Sequence, residues 1–328
     1  MNHPQISILM PVYNAQEFIC ETIESVLSQT MSDWELIIVN DFSKDKSAEL
    51  ISAYSLNHKQ IKLVDNTKKG IIPALTHAFD LSNGEYITRM DADDLMPPNK
   101  LKMLYETAKI SSKTVATGLV RYFSDKPISE GYLRYEKWLN EIASQNKFGE
   151  HIYRECVVAS PNWMVHRSCF EKLILPENLK YPEDYDLVLK WYAAGYEIKA
   201  INEVTHLWRE HPSRTSRLSE VYQQKSFFEL KTNHFINNEL QKGEKVQLIG
   251  YNQKGKLVHS IFARNNIPID IYEFNSETGN PIYKDVSFIQ SAGKTILTNW
   301  PTENKIQQDI TQFLIERGFE FGKNIWLF

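Results

Sequence analysis

Short apolar runs alternating with segments of helical periodicity place the strongest constraint on how this chain folds. Ile6-Ser7-Ile8-Leu9-Met10, Leu36-Ile37-Ile38-Val39, Ile61 to Val64 and Tyr86 to Met90 are too short for helices and read as strands. Between them, Phe18, Ile19, Ile23, Val26 and Leu27 recur at helical spacing, and Ala48 to Leu56 and Ile72 to Leu81 also read as helices. Such alternation predicts a mostly parallel sheet covered by helices on both faces. Sheets of this kind bind ligands beyond the carboxyl ends of their strands. Tyr13-Asn14, Asn40-Asp41 and Asp91-Ala92-Asp93 all lie just past predicted strand ends, so they are expected to converge on one crevice.

The segment Arg89-Met90-Asp91-Ala92-Asp93-Asp94 concentrates carboxylates at the end of the fourth predicted strand. Adjacent carboxylates repel, and burying them brings no gain unless a cation or hydrogen-bond donors compensate. Oxygen ligands suit a hard divalent ion that leaves its remaining positions to water and phosphate oxygens. An acidic turn capping the following helix is the competing reading.

Composition narrows the remaining possibilities. A length of 328 residues is a prior for about two domains. The net charge of -4 provides no basic footprint for nucleic acid. No apolar run approaches the ~18 residues of a membrane span. The N-terminal residues carry no signal-peptide pattern, so a cytoplasmic location is expected. Cys20, Cys156 and Cys169 are widely spaced and read as small buried hydrophobes. The region from Tyr122 to Leu218 is aromatic and less regular, and a polar, helix-like stretch from Val221 to Gln241 follows. A fresh strand-and-glycine pattern then opens at Val246. The expected domains are therefore 1–220, a helical linker at 221–243, and a small Rossmann-like α/β domain at 244–328. In the last, Gly250-Tyr251-Asn252-Gln253-Lys254-Gly255-Lys256 partly mimics two nucleotide-binding loops. Leu257 replaces the Ser or Thr of a P-loop, and Asn252 replaces a glycine of the dinucleotide fingerprint. Docking or homo-oligomerisation is the favoured role for this domain.

Several motifs occur in a fixed order: Ser7-Ile8-Leu9-Met10-Pro11-Val12-Tyr13-Asn14, Ser25 to Thr30, Glu35 to Ser43, Gly84-Glu85-Tyr86-Ile87, the acidic cluster, Glu183-Asp184-Tyr185-Asp186-Leu187 and Trp208-Arg209-Glu210-His211. Together, over about Ile6 to Leu218, they resemble glycosyltransferase family 2, the inverting nucleotide-sugar enzymes. The resemblance implies a GT-A fold: a mostly parallel, Rossmann-like sheet flanked by helices. It also implies a nucleotide-sugar donor (a UDP-sugar foremost), a divalent metal (Mn²⁺ or Mg²⁺), and an acceptor hydroxyl on a glycan or lipid-linked oligosaccharide. In this family such transfer often builds bacterial surface polysaccharides. A lipid-linked acceptor would place the work at the inner membrane face, with peripheral association, although no amphipathic anchor is evident.

The resemblance also implies roles by position. Pro11 and Tyr13 fall where the nucleotide is bound, with the Tyr13 ring on the base, and Asp41 falls where the base is read. The family usually has two aspartates there, whereas this chain has Asn40 and Asp41. Asn66, Lys68 and Lys69 fall in a loop that contacts the base or diphosphate, or else form a solvated basic turn. Asp93 is the expected direct metal ligand. Asp91 reaches the ribose or a metal-bound water, His211 completes the metal site, and Asp94 caps the next helix. Arg89 and Glu183 are assigned to the donor side, and Trp163 and Arg209 to the acceptor side, with core packing an equal reading for Trp163. Asp184 is the expected base for the acceptor hydroxyl. His151, His166 and His206 are read as structural. The alternative function is a catalytically silent nucleotide-sugar-binding scaffold of the same fold, motivated by Asn40 and the appended domain.

Overall fold

The computed structural model describes residues 3–172, 182–212, 214, 224–274 and 284–328. The chain divides into two compact units, the first from 1–146, 158–179 and 183–218, and the second from 147–157, 180–182 and 219–328.

The first unit runs β1 (Ile6–Val12), α1 (Ile19–Leu27), β2 (Trp34–Asn40), α2 (Ser47–Asn57), β3 (Ile61–Asp65), α3 (Ile71–Asp80), β4 (Tyr86–Arg89), α4 (Lys100–Ala108), β5 (Thr114–Phe123) and α5 (Glu130–Gln145). After the short α6 (Phe148–His151), which belongs to the second unit, come β6 (Trp163–His166), α7 (Arg167–Lys172), α8 (Glu183–Ala193) and β7 (Glu197–Arg209). The sheet order is β3-β2-β1-β4-β6-β5-β7. Strands β1 to β4 are mutually parallel where they pair, and β6 runs antiparallel between β4 and β5. Strands β1 and β2 are buried almost throughout, because a sheet covered on both faces needs near-continuous apolar strands. Ile6, Ile8 and Met10 of β1 join Ile19, Ile23 and Val26 of α1 and Leu101 and Leu104 of α4 in one core.

The four strands read from the sequence are all present. The strands β5, β6 and β7 were not legible, and together they build the half of the sheet beyond β4. The parallel β5–β7 pair shifts register at Gly118. There an added Cβ would lie 2.4 Å from Thr205 Oγ1, so only glycine lets the two strands approach.

The second unit continues with α9 (Gln224–Glu239), β8 (Val246–Ile249), α10 (Gln253–Arg264), β9 (Ile269–Glu273), β10 (Lys284–Asp285), β11 (Lys294–Leu297), α11 (Asn304–Ile315) and β12 (Ile325–Leu327). Its parallel sheet has the order β10-β9-β8-β11-β12. The stretch read as a linker contributes α9, which buries Phe228, Leu230 and Phe235. The glycine-bounded turn after β8 is closed by its own side chains. Asn252 Oδ1 accepts the Gly255 N–H (3.0 Å) and caps α10, while Glu273 accepts the Tyr251 N–H (2.5 Å). Asparagine at the position of a fingerprint glycine is thus explained by capping. A Cβ on Gly255 would lie 2.1 Å from the Gly250 carbonyl oxygen. Gly255→Ala is therefore expected to destabilise the second unit by about 1–3 kcal/mol, read as an earlier denaturant midpoint. Among the described residues, no helix is long and apolar enough to cross a membrane.

Candidate functional site

The loops after β1 and β2 are joined by the Asn14 N–H to Ser43 Oγ (3.0 Å) and the Lys44 N–H to Asn14 Oδ1 (2.8 Å), and the turn after β4 is joined to α1 by Thr22 Oγ1–H to the Ala92 and Asp94 carbonyls (3.0 and 2.9 Å). Tyr13, just past β1, is 52% exposed, and Lys69 Nζ sits 5.1 Å from its ring centroid. Pro11 is half-buried on β1, in register with Val39 of β2. Asp41 is buried just past β2 and accepts Asn66 Nδ2–H (2.7 Å) and the Gly70 N–H (2.9 and 3.0 Å to its two oxygens). The neighbouring Asn66 Oδ1 is buried and has no hydrogen-bond partner among the described residues. Such an acceptor is what a ligand N–H would complete. Asn40 donates to Asp65 (2.8 Å) and accepts from the Ser43 N–H (3.1 Å). A carboxylate cannot perform both tasks, which accounts for asparagine there. Asn14 (φ 50°) and Phe42 (φ 61°) hold left-handed backbone at the ends of β1 and β2. For Phe42 that conformation costs on the order of 1–3 kcal/mol, the kind of strain that surrounding structure sustains at binding sites.

The acidic turn after β4 is divided among different partners. Arg89, buried on β4, donates through Nε to Asp91 (2.7 Å) and through Nη1 to Glu183 (3.1 Å), itself only 4% exposed. One guanidinium therefore joins the acidic turn to the first turn of α8, far away in sequence. Burial raises the Asp91 pKa, with Arg89 opposing and Asp93 adding to the rise. Asp184 follows Glu183 in α8, and its Oδ1 accepts the Tyr185 N–H (2.8 Å). Burial and the adjacent Glu183 carboxylate push its pKa up to about 7, with Arg89 pulling the other way.

Asp93 Oδ2 lies 2.8 Å from His211 Nε2, and the Asp93 carbonyl accepts Arg209 Nε–H (2.6 Å). Asp94 does not cap the next helix, because α4 begins six residues later, with Asn99 at its N-cap position. Asp94 is instead buried, accepting the Arg209 backbone N–H (2.8 Å) and meeting His206 Nε2 (2.9 Å). His206 Nδ1 in turn lies 3.0 Å from Lys100 Nζ. Burial lowers the Lys100 pKa to about 7, partly offset by Asp94 and Asp91. Lys100 was not singled out, because nothing in its local sequence separates it from an ordinary helix position, and His206, read as structural, is fully buried.

The acceptor-side expectations change. Trp163 is 3% exposed, packed 6.0 Å from Phe170 and 5.3 Å from Trp191 between ring centroids. Its ring is core and presents no face to a sugar. Arg209, besides its bonds to the acidic turn, donates to Glu21 (2.5 Å) and covers the Phe18 and Phe123 rings. It ties loops together at the rim of the site.

Among the described residues, no group of three or more His, Cys, Asp or Glu side chains converges as a complete metal cage. The Asp93–His211 pair nevertheless fits an ion that takes most of its ligands from water and phosphate oxygens. Asp91 is turned to Arg89 and stands outside that pair.

Comparison with known proteins bears on the family and the fold. The family model for "Glycosyl transferase family 2" matches residues 7–174. The uncharacterized glycosyltransferase EpsJ of Bacillus subtilis (strain 168) is 25% identical over 259 residues, covering 77% of this chain and 71% of EpsJ. Two solved structures share the fold. S. aureus TarS 1-349 in complex with UDP-GlcNAc superposes with a TM-score of 0.58 at 16% identity, over 80% of this chain and 72% of TarS 1-349. The mannosyltransferase PcManGT from Pyrobaculum calidifontis, in complex with GDP-Man and Mn²⁺, has a TM-score of 0.53 at 17% identity, over 80% of this chain and 70% of PcManGT. With a seven-stranded GT-A-like sheet and a family match across more than half of its length, this chain belongs to glycosyltransferase family 2.

Proposed function

We propose that the chain transfers a sugar with inversion from a nucleotide-sugar, a UDP-sugar foremost, to a hydroxyl of a glycan or lipid-linked oligosaccharide in bacterial surface polysaccharide synthesis. The observation that carries this reading is the Arg89 bridge, which holds Asp91 of the acidic turn and Glu183, next to Asp184, on one guanidinium. Tyr13, Asp41 and Asn66 hold the nucleotide, with the exposed ring stacking on the base and the buried Asn66 Oδ1 accepting a base N–H. Asp184 takes the proton from the acceptor hydroxyl. The acceptor oxygen then bonds to the anomeric carbon from the side opposite the diphosphate. The bond from that carbon to the diphosphate breaks, and its electron pair leaves with the phosphate oxygen. A divalent ion held by Asp93 and His211 would neutralise the charge that grows on the diphosphate. A lipid-linked acceptor would place this work at the cytoplasmic face of a membrane.

A base with pKa near 7 is well matched to neutral conditions. Only its deprotonated form accepts the proton, so kcat is expected to fall as pH drops through about 7.

The reading is tested by screening UDP-, GDP- and dTDP-sugars for thermal stabilisation and donor hydrolysis with Mn²⁺ or EDTA. One donor class is expected to respond only with the metal, and Asp93→Ala to lose that response. No response to any nucleotide-sugar would overturn the reading. Saturable donor binding without transfer to any acceptor would favour the silent scaffold.

A further inference from the structure

We infer that Lys100 and His206 are positioning residues, which set the spacing between Asp93 and His211 through a buried hydrogen-bonded strut. The inference rests on the proposed metal role of that pair. Lys100 and His206 are each 0% exposed and Asp94 is 1% exposed, yet none belongs to the apolar core by chemistry. Burying such groups is costly unless every polar atom is matched. Here the matching is directional. Lys100 Nζ, a donor, reaches the Pro161 carbonyl (2.7 Å) and His206 Nδ1 (3.0 Å). That leaves the imidazole proton on Nε2, which donates to Asp94 Oδ2 (2.9 Å). The other Asp94 oxygen accepts the Arg209 backbone N–H (2.8 Å).

The strut therefore starts at the first residue of α4, crosses β7 and ends by clamping the acidic turn to the end of β7. Leu95 and Leu207 exchange backbone hydrogen bonds (3.1 Å each) beside it. Asp93 immediately precedes Asp94, and His211 lies two residues beyond Arg209. The two candidate ligands sit on separate segments, and the strut fixes one segment against the other. A leucine or methionine pair would fill the same volume at lower desolvation cost, but would take the His206 partner from Asp94 Oδ2 and leave the carboxylate held only through Oδ1 by the Arg209 N–H among these bonds. Partners that orient metal ligands typically change metal affinity by about 10–100-fold when removed.

The test measures Mn²⁺ binding to the full chain, metal alone, from the electron paramagnetic resonance signal of free Mn²⁺. It is run at a temperature where near-ultraviolet circular dichroism shows each variant folded. His206→Phe and Lys100→Met are expected to weaken Mn²⁺ binding by about 10–100-fold. His206→Gln, which keeps an N–H for Asp94, is expected to restore most of it. Should His206→Phe fail to fold, Lys100→Met and His206→Gln carry the comparison. A role in packing alone would lower the melting temperature and leave the affinity of the folded protein unchanged. If Asp93→Ala abolishes Mn²⁺ binding while the Lys100 and His206 variants bind as the wild type does, this inference is overturned and the metal site stands. If Asp93→Ala binds Mn²⁺ normally, or the wild type shows no saturable binding, both fall.

Discussion

Asp184→Asn is expected to lower kcat by about 10²–10⁴-fold while donor binding is unchanged. Asparagine retains the shape of the side chain, and its amide oxygen still accepts the Tyr185 N–H. The change removes the capacity to take a proton and the negative charge that goes with it. That charge is disfavoured by the adjacent Glu183 carboxylate, so loss of fold is not expected. The pH dependence supplies a second signature. The wild-type rate should rise with pH through about 7, and the residual rate of the variant should not. Donor affinity measured by calorimetry separates this loss from a binding defect. Transfer at the wild-type rate by Asp184→Asn would show that another group is the base.

Arg89→Met is expected to cost about 3–5 kcal/mol of stability, because it breaks a buried ion pair from one side. Glu183 is 4% exposed, so its carboxylate would lose the guanidinium without gaining water. Removing Arg89 also removes a charge that holds the Asp184 pKa down, so the acceptor base should titrate at higher pH. The expected outcome is an earlier urea midpoint together with a rate profile displaced to the alkaline side. Adding Glu183→Gln should recover part of the lost stability, since the buried carboxylate that faced Arg89 is then neutral. A single-variant cost no larger than that of an exposed pair, below about 1 kcal/mol, would mean that the bridge does not hold α8 to the acidic turn.

The positions of the expected donor-side residues were largely legible because they depend on local order. Tyr13, Asp41 and Asp91 to Asp94 each follow a buried parallel strand, and the short β-branched runs mark those strand ends. Asn40 looked like a defect in the family pattern, and the structure gives it a purpose as a bridge between Asp65 and the Ser43 N–H. Trp163 is a case that sequence left open between a sugar platform and core packing; its burial against Phe170 and Trp191 is a tertiary fact that favours the core. The same holds for Asp94. Its spacing fits a helix cap, yet α4 starts later and the carboxylate serves β7 instead.

By itself the sequence determined the parallel α/β core, the second glycine-punctuated α/β unit, and the order of residue types that puts the loops after β1, β2 and β4 at the carboxyl ends of neighbouring strands. These follow from periodicity and strand termination, which act over a few residues and leave a visible pattern. Only the tertiary structure decided which acid faces which partner: Asp91 and Glu183 on Arg89, Asp93 beside His211, and Asp94 on the Lys100–His206 strut. Those choices depend on the antiparallel insertion of β6 and on the register of β5 against β7. Apart from Arg89 and Asp91, these partners lie between 94 and 118 residues apart, where packing sets the pairing and no local pattern encodes it.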